Sequence, residues 1–510
     1  MKHPFSRRDF LRMAGALPLG LTVPHLLQML AHPASVQNNP KNVLVVVFDA
    51  FSAFDIPVYG FERQTTPTIA QLAKRAIVYR NHFASGNFTS PGTASLLTGV
   101  LPWTHRAINL NGTVTGSFVE RNLFRAFQKY YRIAYTHNGI VSTLLNQFRT
   151  DIDELIPRER YYLEPSYDLF LSELFKNDSD IFSVSWARNM QVNENGYAYS
   201  LYLSHLYEYL QEKNVEDLKP RFPGGFPTYD LVHPFLLETA IDGLGKRLPH
   251  IPKPFLGYFH FMPPHEPYRA PVEFYNKFQG DGYRPPIKPI SIFANANHKD
   301  LADERRKYDE FILYCDREFG RLYNQLESSG VLENTWVILT SDHGEMFERG
   351  IEGHGLEVLY QPVIRIPLMI FEPGRETGMT IDTATNAIDV LPTLTYLTGQ
   401  ASPSWAEGTV LPPFATAGSD PNRSLYTVQA RNNPKYDPLI QASIALIKNN
   451  YKLHYYFGYP QTAQAGFMQL FDIKSDPEEL VDLYLSKPDT AAELLQELKQ
   501  KLDDVNKPYQ

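Results

Sequence analysis

Thr89 is followed two positions on by Pro91 and Gly92 in the run Phe88-Thr89-Ser90-Pro91-Gly92-Thr93-Ala94-Ser95-Leu96-Leu97-Thr98-Gly99. Pro and Gly interrupt regular structure, so the sequence predicts Thr89 on a turn, with a helix starting at Ala94. A side chain just before a helix faces the free N–H groups of the first turn, which favour anions. A hydroxyl held there can attack a phosphorus or sulfur centre while the helix end steadies the charge. The same residue types also fill ordinary N-caps, so the run needs partners before it reads as a site.

Two apolar, β-branched runs supply them. Asn42 to Phe48 (NVLVVVF) leads into Asp49, and Thr335 to Thr340 (TWVILT) leads into Ser341-Asp342-His343-Gly344-Glu345. Runs that are apolar at every position read as parallel strands buried on both faces. Ligands of open α/β sheets lie at the carboxyl ends of such strands. Asp49, Asp342 and His343 therefore offer oxygen and nitrogen donors to a divalent cation, with the Thr89 oxygen completing the shell. Such a cation would lower the Thr89 pKa and make it a nucleophile. Zn, Mn, Mg and Ca all stay open, although one His leans against a pure Ca site.

The elements that must hold these residues follow in order. Thr66-Pro67-Thr68 starts a helix that runs through Arg75, and Ile77 to Phe83 reads as a strand. Arg121 to Tyr131 reads as a helix and Arg132 to Tyr135 as a strand ending at Thr136-His137-Asn138. Leu236 to Leu248 is a helix, and Pro254 to Phe261 a strand ending in Met262-Pro263-Pro264-His265-Glu266-Pro267-Tyr268. Asp303 to Ser329 is a long amphipathic helix closed by Gly330. Arg365 to Phe371 is a strand and Asp389 to Thr398 a helix. Short strands follow between Arg423 and Phe471, then a terminal helix from Thr490 to Val505. Residues 159–243, rich in Tyr and Phe, read as a variable insertion.

Composition sets the class. The chain has 510 residues, 43% hydrophobic and 20% charged, and is expected to fold as a large α/β unit with a smaller appended one. The formal charge of -8 argues against nucleic acid as a partner. The single cysteine, Cys315, permits no internal disulfide and falls on the apolar side of its helical pattern. Ser6-Arg7-Arg8-Asp9-Phe10-Leu11-Arg12 before a moderately apolar stretch matches a twin-arginine export signal. Residues 1–35 are thus expected to engage the twin-arginine translocation machinery, for a periplasmic or extracellular protein. Pro18, Gly20 and Pro24 interrupt the apolar stretch, so membrane association is expected only through an uncleaved N-terminus.

Taken together, the ordered motifs resemble the sulfatase-like branch of the alkaline phosphatase superfamily. They are NVLVVVFDA, TTPTIAQLAKRAIVYRNHFA, TSPGTASLLTG, FMPPHEPYRAP, GRLYNQLESSGVLENTWVILTSDHGE, RIPLMIF, DVLPTLTYLTG and LFDIKSDPEELVDL, between Asn42 and Asp503. The resemblance implies an α/β fold: a large mixed, mostly parallel sheet sandwiched by helices, with a smaller C-terminal α+β subdomain. The expected organisation is export signal 1–35, catalytic domain 40–405 and C-terminal subdomain 420–510.

The departures from that family matter too. Thr89 stands where sulfatases carry the Cys or Ser that becomes formylglycine, and Thr93 stands at their Arg position. Ala50 replaces a second acidic residue, and Thr136-His137-Asn138-Gly139 replaces a Lys-x-x-His motif. What remains resembles the threonine-nucleophile members, with Asp49, Thr89, Asp342 and His343 as metal shell. The resemblance implies an exported, metal-dependent hydrolase or transferase of phosphate esters or diesters. The alternatives are a sulfuric ester hydrolase working without formylglycine, and a non-catalytic binding protein of the same fold. Substrates are expected to be small-molecule, lipid or glycan esters.

His265 matches the family's Pro-His-x-Pro histidine, which contacts the transferred group. His354 can contact substrate, protonate a leaving group, or join His265 and His260 at a second metal. Mid-strand, His260 favours a packed core role. His137 and Asn138 are secondary contact candidates, and Glu345 reads as a helix or supporting residue.

Overall fold

The computed structural model describes residues 40–163, 213, 215–229, 233–415, 420 and 422–510. The export segment 1–35 lies outside them, as does most of the insertion between 164 and 232. The eight strands of the main sheet are β1 (Asn42–Asp49), β2 (Ile77–Tyr79), β3 (Tyr131–Thr136), β4 (Glu154–Leu155), β5 (Phe255–Pro264), β6 (Thr335–Thr340), β7 (Leu368–Phe371) and β8 (Met379–Ile381). Their order is β8-β2-β7-β6-β1-β5-β3-β4, and only β7 runs against the rest. The central strands are β6, β1 and β5, so the two apolar runs of the sequence lie side by side.

Both faces of β1 are covered, which is why its run has no polar alternation. Val43, Val45 and Val47 face a layer that includes α2 (Thr89–Thr98), α3 (Gly139–Gln147) and α6 (Val390–Leu397). Leu44, Val46 and Phe48 face α1 (Pro67–Leu72), α4 (Leu237–Arg247) and α5 (His298–Ser328). Cys315 is buried in α5 within that second layer, as its helical position predicted.

Several local expectations shift. Ile77 to Phe83 splits into β2 and a two-residue strand, His82–Phe83, that pairs with Thr385–Asn386 in a separate sheet. The helix expected over 121–131 is one turn, Leu123–Ala126, capped by the Asn122 side chain. Phe127 and Tyr130 stay buried beside Leu123 and Phe124, so the apolar spacing is met by packing without further helical turns. Thr89 is the first residue of α2, not part of a preceding turn, and Phe88 is its extended N-cap. Pro91 and Gly92 sit inside the first turn, where a missing N–H breaks no intrahelical bond.

The C-terminal sheet runs antiparallel in the order β9 (Leu425–Gln429), β10 (Ala442–Lys448), β11 (Tyr451–Phe457) and β12 (Phe467–Asp472). Ala491, Leu494, Leu498 and Leu502 recur at helical spacing on α7 (Pro488–Asn506) and pack on Leu446, Leu453 and Leu470. On the opposite face Ala445, Ile447, Tyr456 and Phe471 pack against Met346, Leu359 and Val363.

A buried ion pair ties this sheet to the body built on the main sheet. Lys452 Nζ lies 2.6 Å from Glu479 Oε1 and donates to Leu359 O at 2.9 Å. Glu479 also accepts from the Gln361 N–H at 2.8 Å, and its carbonyl accepts from Arg349 at 2.5 Å. Burial opposes ionisation of Glu479, but Lys452 and His454 hold its pKa well below the ordinary 4.5. Its stabilising contribution is therefore complete above that value and declines as pH falls. Glu479→Gln leaves Lys452 buried without a counter-charge and is expected to lower stability by about 3 kcal/mol. Urea midpoints measured above and below pH 4.5 check this: the gap between wild type and variant narrows on the acid side.

Candidate active site

Strand register builds the centre. Val47 of β1 pairs with His260 of β5 and with Thr340 of β6. A bulge between Phe48 and Asp49 shifts the pairing, so Asp49 meets Pro264. Asp49 and Asp342 at the carboxyl ends of β1 and β6, and His260 within the adjacent β5, thus converge, fully buried, with donor atoms all within 4.8 Å of one another. His260 Nε2 lies 3.2 Å from Asp49 Oδ2 and 3.7 Å from Asp342 Oδ2. His343 Nε2 lies 3.3 Å from Asp49 Oδ1, 3.6 Å from Asp342 Oδ2 and 3.4 Å from Thr89 Oγ1.

The surrounding residues aim these groups. Asn138 donates to Asp49 Oδ2 at 2.5 Å while its side-chain oxygen caps α3. Thr93 of α2 donates to Asp342 Oδ2 at 3.3 Å, and the N–H groups of His343 and Ala50 point at Asp342 Oδ1 at 3.0 and 3.4 Å. Ala50 takes a left-handed φ of 58°, which turns the chain at the end of β1. Tyr308 holds that turn, donating to Ala50 O at 2.6 Å and accepting from the Ser52 N–H at 2.9 Å.

Two glycines allow the close approaches. A Cβ on Gly92 would stand 2.3 Å from Asp342 O, and one on Gly344 would stand 2.1 Å from Pro362 O. Only glycine lets α2 and the Gly344 backbone press this near to their neighbours.

A second group lies beside the first. The His354 ring centroid is 4.2 Å from that of His343 and 4.7 Å from that of His265. His354 Nδ1 pairs with Glu345 Oε1 at 2.9 Å, and His265 Nδ1 lies 2.8 Å from Glu266 O. Burial raises the Glu345 pKa, but His354 together with His265 and His343 outweighs it and the result is lowered. Burial also lowers the His354 pKa, with Glu345 opposing. Glu345 belongs to no helix; it supports His354.

Charge and tautomer fit a cation at the centre. His343 Nδ1 faces Gly344 O at 3.0 Å, and a carbonyl only accepts, so the Nδ1 proton is assigned. In the neutral ring, Nε2 then turns a lone pair toward Asp49 Oδ1. That oxygen is buried and receives no hydrogen bond. Such an arrangement needs a second proton on His343 or a cation between the groups. Burial lowers the His343 pKa, yet the Asp342 and Asp49 charges overcome it and lift it to about 9. Two buried carboxylates with imidazole nitrogens form a donor set suited to a divalent cation.

Asp49, Thr89, Asp342 and His343 are thus brought together, with His265 and His354 alongside. His260 corrects the packed-core expectation, since its Nε2 turns onto Asp49. Only the pairing of distant strands reveals this, through Val47 opposite His260. His137 instead turns away from the centre and stacks on Phe235 at 4.1 Å, with neither ring nitrogen hydrogen-bonded.

The sulfatase family profile matches residues 41–400, and a profile for the C-terminal part of N-sulphoglucosamine sulphohydrolase matches residues 354–508. The multifunctional alkaline phosphatase superfamily protein PehA of Trinickia caryophylli is 25% identical to this chain, over 87% of it and 91% of that protein. Arylsulfatase K of Xenopus laevis is 22% identical, over 91% and 83% of the two chains. Among solved structures, the phosphonate monoester hydrolase of Agrobacterium radiobacter shares the fold with a TM-score of 0.63 at 17% identity, over 91% and 95% of the two chains.

His260→Ala is expected to weaken divalent-metal retention on dialysis by at least about tenfold, and Asn138→Ala by roughly ten- to a hundredfold. Metal content after dialysis, by elemental analysis, checks both. His137→Ala serves as the control that keeps its metal.

Proposed function

The chain belongs to the sulfatase family of the alkaline phosphatase superfamily, and on that premise we propose that it is an exported, metal-dependent hydrolase or transferase of phosphate esters or diesters. Members of the family use a divalent metal ion. The observation that carries the reading is Thr89. It opens α2 with its hydroxyl 3.4 Å from His343 Nε2, against the buried Asp49–His260–Asp342 group. The proposed metal shell is Asp49, Thr89, Asp342 and His343, with His260 added by its position. A cation held there supplies charge neutralisation and a lowered Thr89 pKa.

Thr89 Oγ1 gives up its proton to solvent and bonds to phosphorus as the bond to the leaving oxygen breaks. His265 or His354 protonates that oxygen. Water, or an acceptor alcohol in transfer, then attacks that phosphorus and gives its proton to the same histidine, while the P–Oγ1 bond breaks and Thr89 takes back a proton from solvent. The free N–H groups at the start of α2 favour the negative charge that passes through this point.

A sulfuryl reading has its own support, in the arylsulfatase among the relatives and in both matching profiles. Small-molecule, lipid and glycan esters all suit either reading. The sequence supports export through residues 1–35 and a catalytic domain over 40–405 with a subdomain over 420–510. Among the described residues no helix is long and apolar enough to cross a membrane.

The test is turnover of aryl phosphate, bis-aryl phosphate, aryl phosphonate and aryl sulfate by metal-loaded protein. Thr89→Ala is expected to lower kcat/KM for the phosphate esters by roughly a thousandfold, with Thr89→Ser retaining a part. Cleavage of aryl sulfate alone, lost in Thr89→Ala, would replace the phosphoryl reading with the sulfuryl one. Full activity in Thr89→Ala would remove Thr89 from the chemistry.

A further inference from the structure

A second cluster of charge lies apart from the Thr89 centre. A cleft of about 520 Å3 opens between the catalytic body and the C-terminal sheet, lined by Arg80, Arg365, Arg423, Lys448, Lys474 and Asp382. Arg80 follows β2, Arg365 precedes β7, and Lys448 ends β10 at a hairpin turn. That turn is made by Asn449 and Asn450, both with left-handed φ. The Gly344 N–H donates to Val363 O at 2.6 Å and the Ala53 N–H to Arg365 O at 3.0 Å, so backbone hydrogen bonds join the Arg365 segment to the loops after β1 and β6.

The cations of the cleft are unequally satisfied. Arg423 pairs with Asp389, and Lys448 with Glu497 at 2.7 Å. Arg80 reaches Asp382 only at 4.0 Å. Among the described residues, Arg365 and Lys474 form no ion pair. Arg365 donates from Nε to Arg80 O at 2.8 Å, and its guanidinium carbon lies 5.5 Å from the Phe54 ring centre. That leaves its two terminal nitrogens for a ligand. Burial lowers the Arg365 pKa, and the neighbouring Arg80 charge adds to that. A half-buried guanidinium with no carboxylate within ion-pair distance, in a cleft shared with Arg80 and Lys474, is a costly arrangement without an anion, and Glu478 offsets this only from farther away. The planar fork of a guanidinium matches two oxygens of a tetrahedral oxyanion.

We propose that this cleft is a binding site for a tetrahedral oxyanion, phosphate or sulfate, held by Arg365, Arg80 and Lys474. The anion comes either free from solution or as a substituent of a larger, multiply charged substrate. Binding is read without turnover, so the outcome is independent of which ester the Thr89 centre cleaves.

The experiment is calorimetric titration of the full chain and of Arg80→Gln/Lys474→Gln with inorganic phosphate, inorganic sulfate and dextran sulfate oligomers. Both substituted residues are exposed, so the fold is kept, and unchanged turnover of an aryl ester by the variant confirms it. The variant is expected to bind its ligand at least about tenfold more weakly, with the difference shrinking at high salt. A loss seen with the inorganic ions assigns the site to free anion. A loss confined to dextran sulfate assigns it to a substituent of a larger substrate. Equal binding of all three probes by wild type and variant overturns the proposal.

Discussion

Asp49 and Asp342 are two like charges buried at the ends of neighbouring strands, and most of the centre answers to them. Taking a carboxylate out of water is expensive unless donors or counter-charges replace the lost hydration. Here Asn138 and His260 serve Asp49, while Thr93 and two backbone N–H groups serve Asp342. Each donor comes from a different element. Asn138 fixes the start of α3, Thr93 fixes the face of α2, and His260 fixes the register of β5 against β1. The positions of these elements are thus bound to one electrostatic requirement, and His343 brings the remaining positive character.

The same crowding explains the backbone around the centre. Alpha-helical approach at Gly92 and the contact of Gly344 with Pro362 admit no side chain. Ala50 pays for its left-handed conformation with the Tyr308 bonds that lock the turn behind Asp49. Farther out, the Glu479 pair holds Arg349 and Gln361, which bracket the segment carrying His354. The C-terminal sheet therefore helps set where the second imidazole stands, although it contributes no residue to the centre.

Local pattern made much of this legible. Apolar β-branched runs ending in Asp49 and Asp342 foretold the central strands and the carboxylates at their ends, because burial on both faces leaves a continuous signature. The amphipathic stripe of α5 was equally readable. Thr89 was placed correctly in the chain but one turn out in structure, since Pro and Gly are as compatible with a helix's first turn as with a loop. His260 was hidden because its role depends on a partner more than two hundred residues away. The short turn at Leu123–Ala126 and the outward stacking of His137 on Phe235 depend on tertiary packing that periodicity does not encode.

The departures from the sulfatase pattern also make sense as a set. Ala50 removes a carboxylate from the neighbourhood of the centre, while Thr93 removes a guanidinium. With the family's lysine also absent at Thr136-His137-Asn138-Gly139, the set loses more positive than negative charge around Asp49 and Asp342. Thr93 turns its hydroxyl to Asp342 and no longer offers a cation to an incoming ester. Under the proposed function, recognition of the ester's charge falls to the N–H groups at the start of α2 and to His265 and His354. Glu345 favours the protonated form of His354 against its burial. Burial still outweighs Glu345 at His354, so under the proposed function this ring acts through hydrogen bonding and proton transfer, not as a standing charge.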